Sequence, residues 1–179
     1  MRIKEISYER LFNLEDYNNE RIRLVADIGE YEDWTKAYSE LIFKVLAIHN
    51  ALEIYRYSCE MVKKYLEQKM YYQKKIRQYE AEYKIAEERV LKLKALLKEG
   101  REDLIEETAC ATRTLNRVKS DLNSARKQFE YYSELAEKFI NYKVKIYDLL
   151  KQGKFNEINK LAEEIEEFKT YRLVESYEF

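Results

Sequence analysis

The sequence predicts a mainly α fold: a long antiparallel coiled-coil helical hairpin, with a small N-terminal β-hairpin and a short C-terminal helix forming an α+β head. Three observations predict it. Breakers are scarce: among 179 residues there is no Pro, and Gly occurs only at 29, 100 and 153, so long uninterrupted helices are expected. Charged residues make up 37%, well above the usual ~25%, which fits helices with little interior per residue. Two apolar seams at heptad spacing flank Gly100 and come into register when the chain folds there.

The first element, 1–32, is read as a β-hairpin. Ile22, Leu24, Ala26 and Ile28 share one parity, as do Ile6, Tyr8 and Phe12, and that period of two marks strands at roughly 3–12 and 20–28. Between them, residues 15–19 (Glu-Asp-Tyr-Asn-Asn) are rich in turn formers. Asn13-Leu14-Glu15-Asp16-Tyr17, followed by Arg21-Ile22-Arg23-Leu24, resembles an "NLGxYxxxxI" hairpin of small uncharacterised proteins of phages and of archaeal viruses or plasmids. The match covers about 15 residues, has Glu15 where the pattern has Gly, and carries no catalytic residue. It implies a mobile-element origin.

The helical hairpin is read over 33–152, with its turn at 99–101. Asp33 is placed to cap the first helix. Its seam runs Trp34, Leu41, Ile48, Tyr55, Val62, Lys69, Ile76, Tyr83, Val90, Leu97. Companion residues follow four positions later (Tyr38, Val45, Leu52, Cys59, Leu66), then three positions later from Tyr79 onward. This predicts a seam discontinuity near 67–75, or a helix break there that would give a compact four-helix bundle instead of a stalk. The second helix keeps a strict 4-3 spacing from Leu104 through Ala111, Val118, Ala125, Tyr132 and Phe139 to Leu150, a sustained coiled-coil pattern. Gly100 permits the left-handed residue that closes a helix, and Glu102 and Asp103 place negative charge at the next helix start. Folding there sets Val90 against Ala111, Tyr72 against Phe129 and Val62 against Phe139.

The unequal arms leave 33–50 overhanging. That stretch is too apolar all round for a single seam, so something must cover it. Candidates are the hairpin and residues 153–179. There Gly153 permits a reversal, Phe155, Ile158, Ala162, Ile165 and Phe168 mark a short helix, and 171–179 has strand parity. Trp34, Tyr38, Ile42 and Phe43 are candidate self-association residues. Tyr57, Tyr71, Tyr131, Tyr142 and Tyr147 lie off the seam and invite further helix packing.

Chemistry is sparse. His49 is the one histidine, and a partly buried structural role is expected for it. No Glu-x-x-His pair, metal-ligand spacing, phosphate-cradling loop or dinucleotide fingerprint occurs, so the expectation is no enzyme, no metal and no cofactor. Cys59 and Cys110 fall roughly 45–50 Å apart in the hairpin register at 1.5 Å per residue, too far for a disulfide. Free thiols suit a reducing compartment. The start Met1-Arg2-Ile3-Lys4-Glu5 has no apolar core, so no signal peptide is expected, and the most apolar run, 41–52, is too short to span a bilayer. A cytoplasmic location follows, the host cytoplasm if the source is viral. Seventeen Tyr with abundant Lys, Glu and Ile point to a thermophilic source, where charged surface networks are common.

Net charge is −1, so no whole-chain field calls for nucleic acid or membrane. One stretch departs from that balance. Lys63, Lys64, Lys69, Lys74, Lys75 and Arg77 accompany only Glu67, and the register adds Arg126 and Lys127 from the second helix. Cations interleaved with Tyr65 and Tyr71 suit phosphate contacts and base stacking. A second basic group, Arg2, Lys4, Arg10, Arg21 and Arg23, lies on the β-hairpin. The acidic stretch 154–179 suits a basic partner or the basic mid-stalk of another copy. The leading expectation is a non-enzymatic scaffolding coiled-coil protein that self-associates as a homo-oligomer or binds a protein partner. The alternative is a nucleic-acid-binding accessory protein using the basic, Tyr-rich patch.

Overall fold

A computed structural model describes residues 5–13, 19–29 and 33–165. The protein is mostly helical, with one small antiparallel sheet. In order come β1 (Glu5–Asn13), β2 (Asn19–Asp27), α1 (Trp34–Lys98), a 3-10 turn (Glu102–Leu104), α2 (Ile105–Lys151) and α3 (Phe155–Glu164). Residues 14–18, on which much of the hairpin resemblance rests, and the expected strand at 171–179 lie outside the described residues. So does the expected extension of α3 to 168. The chain divides into two compact units: Met1–Glu60 with Ile140–Phe179, and Met61–Phe139.

In the first unit β1 pairs with β2 from Glu5↔Asp27 to Asn13↔Asn19. The period of two puts Tyr8, Ile22 and Leu24 on one face. That face packs on Val45, Leu46, Ile48 and Leu52 of α1. The hairpin thus covers part of the apolar surplus of 41–52, while Phe43 stays partly exposed. Asp33 begins α1 by accepting the Thr35 backbone N–H at 2.9 Å and the Thr35 hydroxyl at 2.6 Å, the geometry of an N-cap. The C-terminal helix α3 is amphipathic. It buries Ile158, Leu161 and Ala162 and is tied to α1 by Asn50 Nδ2 donating to Asn159 Oδ1 at 2.8 Å. Within this unit α2 also meets α1, where the Lys143 ammonium lies 5.1 Å from the Tyr55 ring centre.

The second unit contains the α1 and α2 segments on either side of Gly100. Their contacts run in opposite chain directions. Val90 and Leu93 cluster with Ala111. Glu80 meets Arg126 at 2.7 Å. Tyr72 stacks on Tyr132 at 5.7 Å between centroids, and Tyr65 reaches Phe139 at 5.8 Å. Gly100 has φ +91°. Its N–H donates to the Leu97 carbonyl, and the Arg101 N–H reaches back to Leu96, the paired closure of a Schellman cap. Gly153 (φ +66°) closes α2 the same way, with its N–H on Leu150 and that of Lys154 on Leu149.

Two expectations are corrected here. The connection is longer than 99–101, because a 3-10 turn intervenes and α2 starts at Ile105. There Arg101 forks onto Asp103 with bonds of 2.9 and 2.8 Å. Glu106 and Glu107, not Glu102 and Asp103, are the acids of the first α turn. Helix α1 neither breaks nor shifts its seam at 67–75. Tyr65 and Tyr72 stack on Tyr132, whereas Leu66 is exposed. The 3-4 spacing therefore already runs Val62, Tyr65, Lys69, Tyr72, Ile76. Lys69 keeps its seam place half-buried, its ammonium 5.3 Å from the Phe129 ring centre.

Candidate functional site

The second unit has two lateral sides, each marked by an ion pair across the helices. On one, Arg89 meets Glu107 at 2.7 Å, and a groove of about 320 Å³ is lined by Glu82, Ile85, Ala86, Cys110, Thr114 and Arg117 with that pair. On the other, Arg126 meets Glu80. Residues spaced alternately by three and four share a helix face, so the rest of each row can be assigned. On α1 the groove side continues from 89, 85 and 82 through 78, 75, 71, 68 to 64. On α2 it continues from 107, 110, 114 and 117 through 121, 124, 128, 131, 135 to 138.

This assignment divides the predicted basic patch. Lys64 and Lys75 fall on the groove side. Lys63, Arg77 and Arg126 fall on the opposite side, where Arg126 is held by Glu80. Lys69 lies in the seam over Phe129. Lys74 and Lys127 lie on the outer backs of the helices, exposed, in the same rows as Glu67 and Glu134. The eight residues therefore do not converge on one surface.

The tyrosines converge better. Tyr132 is sandwiched, stacking on Tyr65 (6.1 Å, 30°) and on Tyr72 (5.7 Å, 18°). Tyr71 stands edge-on to Tyr72 at 5.1 Å and 81°, and Tyr131 edge-on to Tyr132 at 5.3 Å and 67°. Such T-shaped and offset contacts are the favoured aromatic geometries. The Lys75 ammonium sits 4.8 Å from the Tyr71 ring centre. Hydrogen bonding to Tyr71 holds the Lys75 pKa above the ordinary lysine value. Tyr65, expected among the surface cations, instead faces inward to Tyr132 and Phe139.

The other predicted residues lie in the first unit. Trp34 is half exposed. Tyr38 is also exposed in part but is held edge-to-face by Tyr8 at 5.8 Å. Ile42 is half-buried, and Phe43 is partly exposed. Of the off-seam tyrosines, Tyr57 is buried, whereas Tyr71, Tyr131 and Tyr147 are exposed. His49 lies half-buried on α1. Cys59 and Cys110 are both free thiols. Among the described residues no group of three His, Cys, Asp or Glu is placed to hold a metal ion, and no helix is long and apolar enough to cross a membrane.

Sequence reasoning missed the exposed aliphatic residues. Leu66, Met70, Leu91 and Ile105 are all exposed. By the same 3-4 rows they belong to the side marked by Arg126 and Glu80. The signal was present in the sequence as apolar residues just off the seam, but the seam phase had to be known before they could be placed. Compared with known proteins, the chain matches no family model, no curated protein and no solved structure.

Proposed function

We propose that this is a non-enzymatic scaffolding protein whose paired helices form an antiparallel coiled-coil hairpin and associate with a second copy. The opposed chain directions of the Val90–Ala111, Glu80–Arg126 and Tyr72–Tyr132 contacts support the hairpin. The observation that carries the association is a set of exposed aliphatic residues on one side of the second unit. Leu91 is 62% exposed, Ile105 59% and Met70 58%. A two-helix hairpin buries only its seam, and the exposed Leu91 and Ile105 near the turn, with Leu66 and Met70 further along the same side, leave two apolar patches that a second copy would cover. The occupant argued for is another copy of the chain. Its net charge of −1 opposes association little, since near-neutral proteins lack the long-range repulsion that keeps molecules apart. Trp34 of the first unit supplies a further exposed anchor. Light scattering coupled to size exclusion tests the reading at micromolar concentration. An oligomer that Leu91→Glu plus Ile105→Glu dissociates, with helicity retained, supports it.

A further inference from the structure

The groove side has a property that self-association does not use. At its Tyr71–Tyr131 level, α1 presents Lys64, Gln68, Tyr71, Lys75 and Gln78. The facing α2 row presents Ser124, Gln128, Tyr131, Leu135 and Lys138. These ten positions hold three cations and no carboxylate, in a chain where acids and bases are otherwise balanced. The nearest acids in the same rows are Glu82 and Asp121, at one end. On the neighbouring outer rows Lys74 and Lys127 offset Glu67 and Glu134. The strip runs about 20 Å along α1 at 1.5 Å per residue.

Two rings stand out along it. Tyr71 is 49% exposed and Tyr131 53%, one from each helix. Each is braced along one edge by the sandwiched Tyr72–Tyr132 pair. A ring braced along one edge keeps less side-chain freedom before any ligand arrives, which lowers the entropic cost of binding. Flat, fixed, half-exposed rings beside lysines are the parts that single-stranded nucleic acid uses: a π face for each base and cations for the backbone. Duplex DNA offers no unstacked base to such rings. An acidic peptide would use the lysines and leave the rings without a role.

We propose that this strip binds single-stranded nucleic acid, with bases stacked on Tyr71 and Tyr131 and phosphates on Lys64, Lys75 and Lys138. The glutamines and Ser124 offer hydrogen bonds to base edges and sugars without fixing a sequence. The site lies on the side opposite Leu91 and Ile105, so one copy can associate and bind at once.

Fluorescence anisotropy of a labelled oligothymidylate and a labelled oligouridylate, titrated with the full chain, tests the site. Binding should weaken with salt at a log–log slope of about −2, as three phosphate contacts to a single strand predict. Tyr71→Ala and Tyr131→Ala should each weaken binding by about tenfold. Tyr71→Phe and Tyr131→Phe should keep it, because stacking needs the ring and not the hydroxyl. Unchanged helicity and unchanged oligomeric mass in the alanine variants separate this outcome from a folding or association defect. The proposal is overturned by no binding at ~50 mM salt. It is overturned equally if the alanine variants bind as the parent does, or if duplex DNA or polyglutamate competes as well as the single strand. The last results would identify a general polyanion surface. Failure here would leave the light-scattering result on the aliphatic side untouched.

Discussion

Ser58 is wholly buried on α1, and among the described residues its hydroxyl has no hydrogen-bond partner. An unmade bond in the interior costs the desolvation of the group, about 1–3 kcal/mol. Ser58→Ala removes that cost while losing little volume, so a rise in thermal midpoint is expected. A clear fall would show that the hydroxyl is bonded in solution. Asp33 is the opposite case, an exposed side chain with a defined task. The Thr35 hydroxyl, and after it the Thr35 N–H, hold the carboxyl below the usual carboxylate value. A carboxylate with a depressed folded pKa contributes stability above its unfolded value of about 3.9 and loses it as pH falls through the folded value. Asp33→Asn keeps a capping oxygen but does not titrate. Melting curves of parent and variant should therefore converge as acid is added. A gap independent of pH would contradict the cap's assigned charge state. The cap was legible in the sequence because a single Asp precedes the apolar periodicity. Ser58 was not, because no local pattern tells which serine a core will enclose.

Much of the apolar row expected on α2 is buried, namely Ala111, Val118, Leu122, Ala125, Ala136 and Phe139, whereas at its end Leu149 is buried and the expected Leu150 is half-buried. The sheet face was legible, since a period of two fixes which side of a strand meets the core. The α1 seam was misread at one place, and the cause is physical. Ranking Leu above Tyr by hydrophobicity assigns Leu66 to the interior, but Tyr65 and Tyr72 stack on Tyr132 between the helices and Leu66 is left exposed. That one-residue difference in phase also decided the fate of the basic patch. Lys63 and Lys64 are neighbours in sequence yet fall on opposite sides of the helix pair. No composition argument resolves such a split before the seam is known. Lys69 is the remaining irregularity, a cation at a half-buried seam position over Phe129. A polar residue at one seam position fixes register at a cost in stability. Lys69→Leu should therefore raise the denaturation midpoint while loosening the pairing. Cysteine cross-linking between α1 and α2 positions would detect the loosening as products from more than one register. A lower midpoint would mean that the cation–ring contact outweighs burial.

At the level of the whole molecule, nearly balanced charge, few breakers and two long helices leave packing surface as the main resource. Two sides of the second unit differ locally: one exposes Leu91 and Ile105 near the turn, the other exposes Tyr71 and Tyr131 beside lysines. Within the α1 overhang, Trp34, Tyr38, Ile42 and Phe43 were the candidate self-association residues. The hairpin covers Val45, Leu46, Ile48 and Leu52 there, and Trp34 is left as its most exposed large residue among the four candidates. Leu91 and Ile105 of the second unit are more exposed than any of those four. The central claim is that this surface joins copies of the chain, and the most direct test is the molar mass of the 21.9 kDa protein. Light scattering across the size-exclusion peak, at micromolar concentration and moderate salt, should give at least twice that mass. Leu91→Glu with Ile105→Glu should return it to that of one chain with helicity preserved. A parent protein that elutes with the mass of a single chain at every concentration would contradict the account.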